Sequence, residues 1–288
     1  MGRPPRRVIP VERSYAHCRR VTRDRAKNFY YAFRLLDGPR RDAICAIYAF
    51  MRRCDDLSDE PGATVRALDQ WRAELERGLR GMLVEDPLWP AFFDTVARHR
   101  IPTAYFHEMI DGVSSDLTRP AVQDWPELRR YCYQVASTPG LCLVHILGFD
   151  DPRALELAEQ CGIAFQLTNI IRDVAEDARL GRTYLPAEDM DRFQVTHAHL
   201  TAPAVSPELR RLLRFEAERA FECYETSSPI VQTVSPETRP ALASLIAIYR
   251  RLLTRIEQRD FEVLAGRIRL STPEKVRILI ESRLRGWK

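Results

Sequence analysis

Polar side chains recur at one-turn intervals in the segment from Gln166 to Asp177. Asn169, Asp173 and Asp177 are four residues apart, and Gln166 lies about one turn before Asn169. Because an α-helix turns about 100° per residue, these side chains are predicted to share one helix face. The other faces are too apolar for a surface helix, so the segment is predicted to be buried. A buried carboxylate is costly unless it is paired or binds a metal ion, which makes this stripe a candidate metal site.

Asp55 and Asp59 form a second acidic stripe, again four residues apart, just after the apolar run 43–50. Two such stripes that face each other across a helical cavity suit Mg²⁺ shared with a diphosphate. Mg²⁺ prefers oxygen ligands, and Mn²⁺ can substitute because it accepts the same ligands. The alternative for both stripes is a solvated acidic helix face, which the apolar surroundings disfavour.

Both stripes belong to longer motifs that resemble those of the squalene/phytoene synthase family, whose enzymes join two prenyl diphosphates head to head. The first motif reads Ala46-Ile-Tyr48-Ala-Phe-x-Arg52-x-x-Asp55-Asp56-x-x-Asp59. The second reads Gln166-Leu-Thr-Asn169-Ile-x-Arg172-Asp173-Val-x-Glu176-Asp177-x-Arg179-x-Gly181-Arg182-x-Tyr184-Leu185-Pro186. The resemblance extends from Asn28 to about Arg267. It implies an all-α fold, a single large helical bundle of the isoprenoid synthase type with a central apolar cavity. The domain is expected to span residues 1–288, with 1–11 as a flexible N-terminus.

The resemblance also implies roles for individual residues. The implied metal ligands are Asp55, Asp59, Asn169, Asp173 and Asp177. The implied catalytic residues are Tyr48, Arg52, Tyr131, Gln166 and Tyr249. The implied substrate-binding residues are Lys27, Asn28, Phe29, Arg52, Val135, Gly140, Gln166, Asn169, Arg172, Arg182 and Arg267. The residue types alone leave alternatives open, because the arginines could only neutralise the acids and the tyrosines could be ordinary core aromatics.

Apolar periodicity predicts helices along nearly the whole chain. The predicted helical segments are about 12–36, 40–58, 64–83, 89–98, 103–117, 152–178, 206–227, 236–264 and 272–288. A further apolar helical pattern, 128–141, contains small residues and Pro139. These residues predict either a helix boundary or a kink that leaves room for a prenyl chain.

Composition narrows the function classes. The chain has 288 residues, 45% of them hydrophobic, and a formal net charge of +4. This charge is too small to indicate nucleic-acid binding, and it suits anionic diphosphates or an anionic membrane surface equally well. The seven cysteines are scattered, as expected for free thiols in a reducing cytoplasm. Neither a signal peptide nor an apolar run of about 18 residues is apparent, which predicts a cytoplasmic protein. The sequence gives no indication of the oligomeric state.

The arginine-rich C-terminal segment, 272–288, has two interpretations. The favoured one is a core helix with a solvated charged face. The alternative is peripheral membrane contact, in which a basic face touches anionic lipid headgroups.

The resemblance implies a reaction in which a donor prenyl diphosphate ionises and an acceptor attacks the allylic cation. The product is a cyclopropylcarbinyl diphosphate, which ionises again to give a linear hydrocarbon. Segments 135–149 and 185–195 favour two farnesyl diphosphates, giving presqualene diphosphate and then squalene or dehydrosqualene. The alternative is coupling of two geranylgeranyl diphosphates to phytoene. Reduction to squalene would need NADPH.

Other functions fit the sequence less well. The signature 166–186 argues against a head-to-tail prenyltransferase or a terpene cyclase. A non-catalytic assembly factor is disfavoured because the acids, which are costly to bury, are all intact.

Overall fold

The computed structural model describes residues 9–26, 29–59, 62–82, 84–118 and 121–285, and these ranges are helical almost throughout. In chain order the helices are α1 (Val11–Arg25), α2 (Phe29–Phe33), α3 (Gly38–Asp59), α4 (Val65–Leu79), α5 (Trp89–Arg98), α6 (Ala104–Thr118), α7 (Trp125–Cys132), α8 (Thr138–Leu147), α9 (Arg153–Arg179), α10 (Ala187–Arg192), α11 (His197–Leu200), α12 (Pro207–Thr226), α13 (Ile230–Thr233), α14 (Arg239–Gln258) and α15 (Thr272–Leu284). Within the described ranges, β structure is limited to two isolated bridges, Ala121 with Thr183 and Phe149 with Val234. The all-α prediction is confirmed. In the same part of the chain, no helix is long and apolar enough to span a bilayer.

The predicted helical segments all contain helices, but the structure differs from the prediction in two ways. The short helices α10, α11 and α13 lie in segments where the apolar pattern indicated none. Helix α14 ends at Gln258 rather than near 264, because Asp260 and Phe261 adopt left-handed φ angles of 52° and 60°. Such angles cannot continue a right-handed helix.

Helix α9 lies at the centre of the bundle and packs against α8, α12 and α14. Two hydrophobic clusters flank it. In the first, Phe50 on α3 stacks on Phe92 and Trp71, with ring centroids 4.7 and 5.6 Å apart. Aromatic pairs of this kind contribute about 0.5–1.5 kcal/mol beyond their buried area. The second cluster joins α9 to α12 and α14. The helices that carry the two acidic stripes, α3 and α9, are thus each fixed by a packed core.

The predicted interruption near Pro139 is a turn of π-helix, Tyr133–Ser137, between α7 and α8. It packs tightly against α9, since a Cβ atom at Gly162 would lie only 2.5 Å from the Cα of Ser137. A similar approach to α6 requires Gly112. Pro139 follows the turn as an early residue of α8, where its missing N–H is tolerated. The turn therefore displaces the backbone at the wall of the central cavity, as the kink interpretation predicted.

Candidate active site

An apolar cavity of about 380 Å³ lies between α3, α6, α8, α9 and α14. Along α3 its lining changes from Ile44 to Tyr48 and then to Asp55. Along α9 it changes from Ala158 to Asn169. The cavity therefore has an apolar end and a polar end, and the predicted central apolar cavity is confirmed.

A second, more open space of about 340 Å³ lies one helical turn further along α3 and α9. The residues that line this acidic cleft are Asp59, Asp173, Glu176, Asp177, Leu180, Arg182 and Arg267. Asp59 follows Asp55 by one turn, and Asp173 follows Asn169 by one turn. Both acidic stripes therefore continue from the cavity into the same cleft, which is the arrangement that their spacing predicts.

Three arginines pair with acids of the cleft. Arg182 Nη1 donates to Asp59 Oδ1 at 3.0 Å. Arg267 Nη2 and Arg172 Nε each donate to Asp173 at 2.8 Å, one to each carboxylate oxygen. Arg182 and Arg267 line the cleft, so they both neutralise acids and lie within reach of an anion there. Arg172 lies behind Asp173 with its side chain only 8% exposed, and its contacts match the alternative in which it neutralises an acid.

Arg52 provides a hydrogen-bond donor at the polar end of the cavity. Its guanidinium pairs with Asp56, one turn along α3. Its Nε is buried and, within the described ranges, has no hydrogen-bond acceptor. A buried unpaired donor is costly, and an anion bound in the cavity would satisfy it.

Burial raises the pKa of three carboxyl groups around the polar end. The pKa of Asp55 rises to about 7 because the side chain is buried and because Asp59 and Asp116 repel its negative charge. The pKa of Asp177 also rises to about 7, because the side chain is buried and because Asp173 and Glu176 repel its negative charge. For Asp116 the value is about 6, again mainly because of burial. Bound cations would stabilise the ionised form of all three groups.

The oxygen atoms of this region fit magnesium shared with a diphosphate. In the described part of the chain, no three acid, histidine or cysteine side chains are close enough to hold an ion by themselves. Mg²⁺ in phosphate-transfer sites usually has one or two carboxylates, with phosphate oxygens and water as the other ligands. Asn169 Oδ1 adds a suitable oxygen, because it is buried and accepts no hydrogen bond from any described residue.

Aromatic residues surround the polar end. Tyr48, Tyr131 and Tyr249 all line the cavity. Tyr249 stacks on Phe165 with centroids 4.3 Å apart, and burial raises its pKa to about 12. Burial also raises the pKa of Tyr48 to about 12. These phenols therefore stay protonated at neutral pH, where they can donate to phosphate oxygens and present ring faces to a carbocation.

Sequence reasoning missed Asp116, on α6. Asp116 lines the cavity and accepts hydrogen bonds from Tyr184 at 2.8 Å and from Tyr131 at 3.3 Å. The two tyrosine rings stack with centroids 4.8 Å apart. The spacing carries a signal, because Asp116 falls on the same helix face as the buried residues Met109 and Val113. Tyr184 belongs to the second motif, but sequence reasoning gave it no role.

The remaining predicted site residues fall into two groups. Val135, Gly140 and Gln166 line the cavity. Lys27 and Asn28 lie outside the described residues, as does the side chain of Phe29.

The loop 181–186, which carries Arg182, is held by backbone hydrogen bonds on two sides. Arg182 N donates to Asp177 O at 2.9 Å, which joins the loop to the end of α9. Val122 N donates to Thr183 O at 3.3 Å, which joins it to the segment before α7. The side chain of Arg182 therefore lies beside the acids of α9, as the sequence predicts.

Helix α10, directly after this loop, is anchored by a buried ion cluster formed by Arg219, Asp189 and Glu216. Arg219 Nη1 donates to Asp189 at 2.6 Å and to Glu216 at 2.9 Å. Its guanidinium lies 4.7 Å from the ring centroid of Trp125 and 4.3 Å from that of Phe215. The two acidic residues are only 3% and 1% exposed. This Arg219 cluster links the active-site loop to α12.

Comparisons with known proteins point to one family. The model of the squalene/phytoene synthase family matches residues 22–274. The phytoene synthase of Arthrospira platensis is 35% identical over an alignment that covers 99% of this chain and 98% of its own. A crystal structure of a dehydrosqualene synthase in complex with ligand superposes with a TM-score of 0.89 at 32% identity, covering 95% of this chain and 96% of its own. The squalene synthase from Alicyclobacillus acidocaldarius superposes with a TM-score of 0.81 at 27% identity, covering 88% of this chain and 97% of its own.

Proposed function

The chain belongs to the squalene/phytoene synthase family of prenyltransferases, and we propose that it joins two geranylgeranyl diphosphates head to head to form phytoene. Relatives named as phytoene synthases align over almost the whole chain, and this observation carries the proposal. These relatives favour geranylgeranyl diphosphate as the substrate. Segments 135–149 and 185–195 of the sequence favoured the shorter farnesyl diphosphate. The reaction type is common to both substrates.

In this proposal the acidic cleft binds the diphosphate groups and the cavity holds the prenyl chains. Arg52, Arg182 and Arg267 donate hydrogen bonds to phosphate oxygens. Magnesium, when bound, supplies positive charge that stabilises the departing diphosphate. The residues that we propose as its ligands are Asp55, Asp59, Asn169, Asp173 and Asp177.

The proposed chemistry begins when the C1–O bond of the donor breaks and its electron pair leaves with the diphosphate. The double bond of the acceptor attacks the allylic cation, and loss of a proton closes a cyclopropylcarbinyl diphosphate. A second ionisation, rearrangement and loss of another proton give phytoene, so no reductant is required. Water would capture either cation, so the apolar lining, which includes Phe165 and Leu245, must exclude it. The rings of Tyr48 and Tyr249 would stabilise positive charge near the polar end.

A second candidate is the coupling of two farnesyl diphosphates to dehydrosqualene. The dehydrosqualene synthase neighbour, with its TM-score of 0.89, supports this candidate. It uses the same acids and arginines and differs in the length of chain that the cavity must hold. Squalene as the product would in addition need hydride from NADPH.

Incubation with Mg²⁺ and radiolabelled geranylgeranyl or farnesyl diphosphate, with and without NADPH, tests the proposal. We expect geranylgeranyl diphosphate to give phytoene with a higher kcat/KM, no effect of NADPH, and loss of turnover with a chelator. A higher kcat/KM for farnesyl diphosphate would overturn the proposed substrate. Release of no diphosphate from either compound would overturn the enzymatic function and favour an assembly factor.

A further inference from the structure

Helix α15 exposes an apolar stripe. Val276, Ile280 and Leu284 follow one another at four-residue intervals and therefore share one helix face. Their exposed fractions are 41%, 53% and 78%. Single exposed apolar residues are ordinary, whereas a row of three on one helix is typical of a contact surface.

The opposite face of α15 attaches the helix to the bundle. Ile278 packs against the second hydrophobic cluster, and Ser282 is buried. At the N-terminus, Glu274 pairs with Arg255 of α14 and accepts a hydrogen bond from Ser271 N at 3.0 Å. The orientation of α15 is therefore fixed, and the stripe is directed outwards. The sequence-based prediction was a core helix with a solvated charged face. The side that carries Ile278 packs as a core helix, but the solvated side is apolar as well as charged.

Cationic side chains border the stripe. At 100° per residue, Arg277 falls at the edge of the stripe on the side of Leu284, and Arg283 falls at the other edge, on the side of Val276. Arg277 is 81% exposed and donates to Glu281, one turn further along the helix, at 2.7 Å. Segment 271–285 contains two acids, Glu274 and Glu281, and four cations, which are Lys275, Arg277, Arg283 and Arg285. An apolar stripe bordered by cations fits the surface of an anionic bilayer.

The N-terminal end of α15 is connected to the acidic cleft by a short segment. Arg267 lines the acidic cleft and precedes α15 by five residues, a distance of at most about 18 Å along the chain. Leu180, 64% exposed, lines the same cleft. Helix α15 packs against α2, whose Phe33 lines the apolar cavity. Helix α15 is therefore linked to the cleft through segment 267–272 and to the cavity wall through α2.

We infer that α15 docks the protein on an anionic lipid surface through Val276, Ile280 and Leu284, with Arg277 and Arg283 at the headgroups. This inference goes beyond the proposed function, because it concerns where the protein is located rather than which bond it forms. Lipid is favoured over a second copy of the chain because segment 271–285 has four cations against two acids, so two copies of it would repel each other in a symmetric pair.

Vesicle flotation with the full chain tests this inference. The vesicles are phosphatidylcholine alone or phosphatidylcholine with about 30% phosphatidylglycerol. The matched variants are Ile280→Ser/Leu284→Ser, Arg277→Gln/Arg283→Gln, and the control Leu79→Ser/Met82→Ser, which changes exposed apolar residues at and just beyond the end of α4.

We expect the unaltered chain to float with the anionic vesicles and to dissociate as the salt concentration rises. The apolar variant should lower the partition coefficient about tenfold or more, because it removes the side chains that enter the bilayer. The arginine variant should lower it several-fold and weaken the salt dependence, and the control should float normally. If the apolar double variant unfolds, Leu284→Ser alone replaces it, since this side chain is 78% exposed.

Two results would overturn the inference. One is equal flotation of the unaltered chain and the apolar variant, or no flotation of either. The other is a concentration-dependent dimer that the apolar variant abolishes without any vesicle binding, which would assign the stripe to a second copy. Turnover of detergent-dispersed substrate should be equal in all four proteins, so failure of docking is distinguishable from failure of the proposed function.

Discussion

Buried acids with raised pKa values occur in two regions of this protein, but only one of these regions borders open space. In the active site, the pKa values of Asp55 and Asp177 rise to about 7. In the Arg219 cluster, burial raises the pKa of Glu216 to about 7 as well. Asp55 lines the cavity and Asp177 the cleft, whereas the aromatic rings of Trp125 and Phe215 lie against the Arg219 cluster. A raised pKa therefore marks a candidate binding site only where a ligand can reach the group.

The two groups also differ in how their charge is compensated. Arg219 donates to both acids of its own cluster. In the active site the arginines pair with Asp59 and Asp173, and no described residue forms an ion pair with Asp55 or Asp177. Both acids of the cluster are thus paired with Arg219, although Glu216 Oε2 has no hydrogen-bond partner within the described ranges. In the active site, by contrast, Asp55 and Asp177 have no such cation and can take up added ones. We expect substitutions in the active site to reduce turnover and substitutions in the cluster to reduce stability.

The largest expected effect is on turnover in Asp55→Asn. The variant should lose about 10³-fold in kcat/KM, or about 4 kcal/mol of transition-state stabilisation, because it removes a proposed metal ligand. Its thermal stability should be equal or higher, because a buried charge is lost. Diphosphate release and thermal unfolding measure the two quantities. Asp111→Asn is the control, since Asp111 is an exposed acid on α6 that pairs with Arg72. Near-normal turnover in Asp55→Asn would remove Asp55 from the proposed metal site.

Arg219→Met should give the opposite pattern, because it leaves Asp189 and Glu216 buried without their cation. Loss of one partner from a buried ion pair typically destabilises a protein by about 3 kcal/mol or more. Because α10 follows the loop of Arg182 directly, we also expect a higher KM with a smaller change in kcat. Urea unfolding and steady-state diphosphate release provide the measurements.

The control for this prediction is Arg192→Met. The guanidinium of Arg192 lies 4.8 Å from the centroid of the same Phe215 ring. Arg192 is exposed, however, and is not part of the buried Arg219 cluster. It should lose less than about 1 kcal/mol, as expected for a surface cation–π contact. Equal losses in the two variants would show that packing on Phe215, and not the buried ion pairs, stabilises α10.

The sequence predicts the two acidic stripes well because their geometry is local. Residues four apart on one helix share a face, whatever the fold of the rest of the chain. The sequence alone therefore predicts that Asp55 shares a face with Asp59, and Asp173 with Asp177. Asp116 is a single acid without a repeated spacing. Its place in the site arises from contacts with Tyr131 and Tyr184, which come from elements far apart in the sequence.

The Arg219 cluster and the α15 stripe escape sequence analysis for related reasons. Asp189 and Arg219 are separated by 30 residues, and only the packing of α10 on α12 brings them together. In α15, apolar residues lie on opposite faces, with Ile278 on one and Ile280 on the other. Periodicity shows which residues share a face, but it does not show which face meets the bundle. The cavity that we propose for the prenyl chains is likewise lined by side chains from eight α-helices and the turn of π-helix, so no single motif shows its length.

The smallest expected effect is the contribution of Glu216 to the pH dependence of the free energy of unfolding. Its pKa is about 7 in the folded protein, against an ordinary value of 4.5, so the folded state binds the proton more tightly than the unfolded state. Between these values the folded protein holds more protons, and the free energy of unfolding must fall as the pH rises. The loss by about pH 8 should be about 2 kcal/mol, and it should be absent in Glu216→Gln.

Urea unfolding of both proteins at about pH 5 and pH 8, with a chelator present, measures the difference. Asp55 and Asp177 contribute equally to both proteins and cancel, and the exposed neighbour Glu218→Gln serves as the control. The same pH dependence in Glu216→Gln and in the unaltered protein would mean that the raised pKa of Glu216 has no influence on stability.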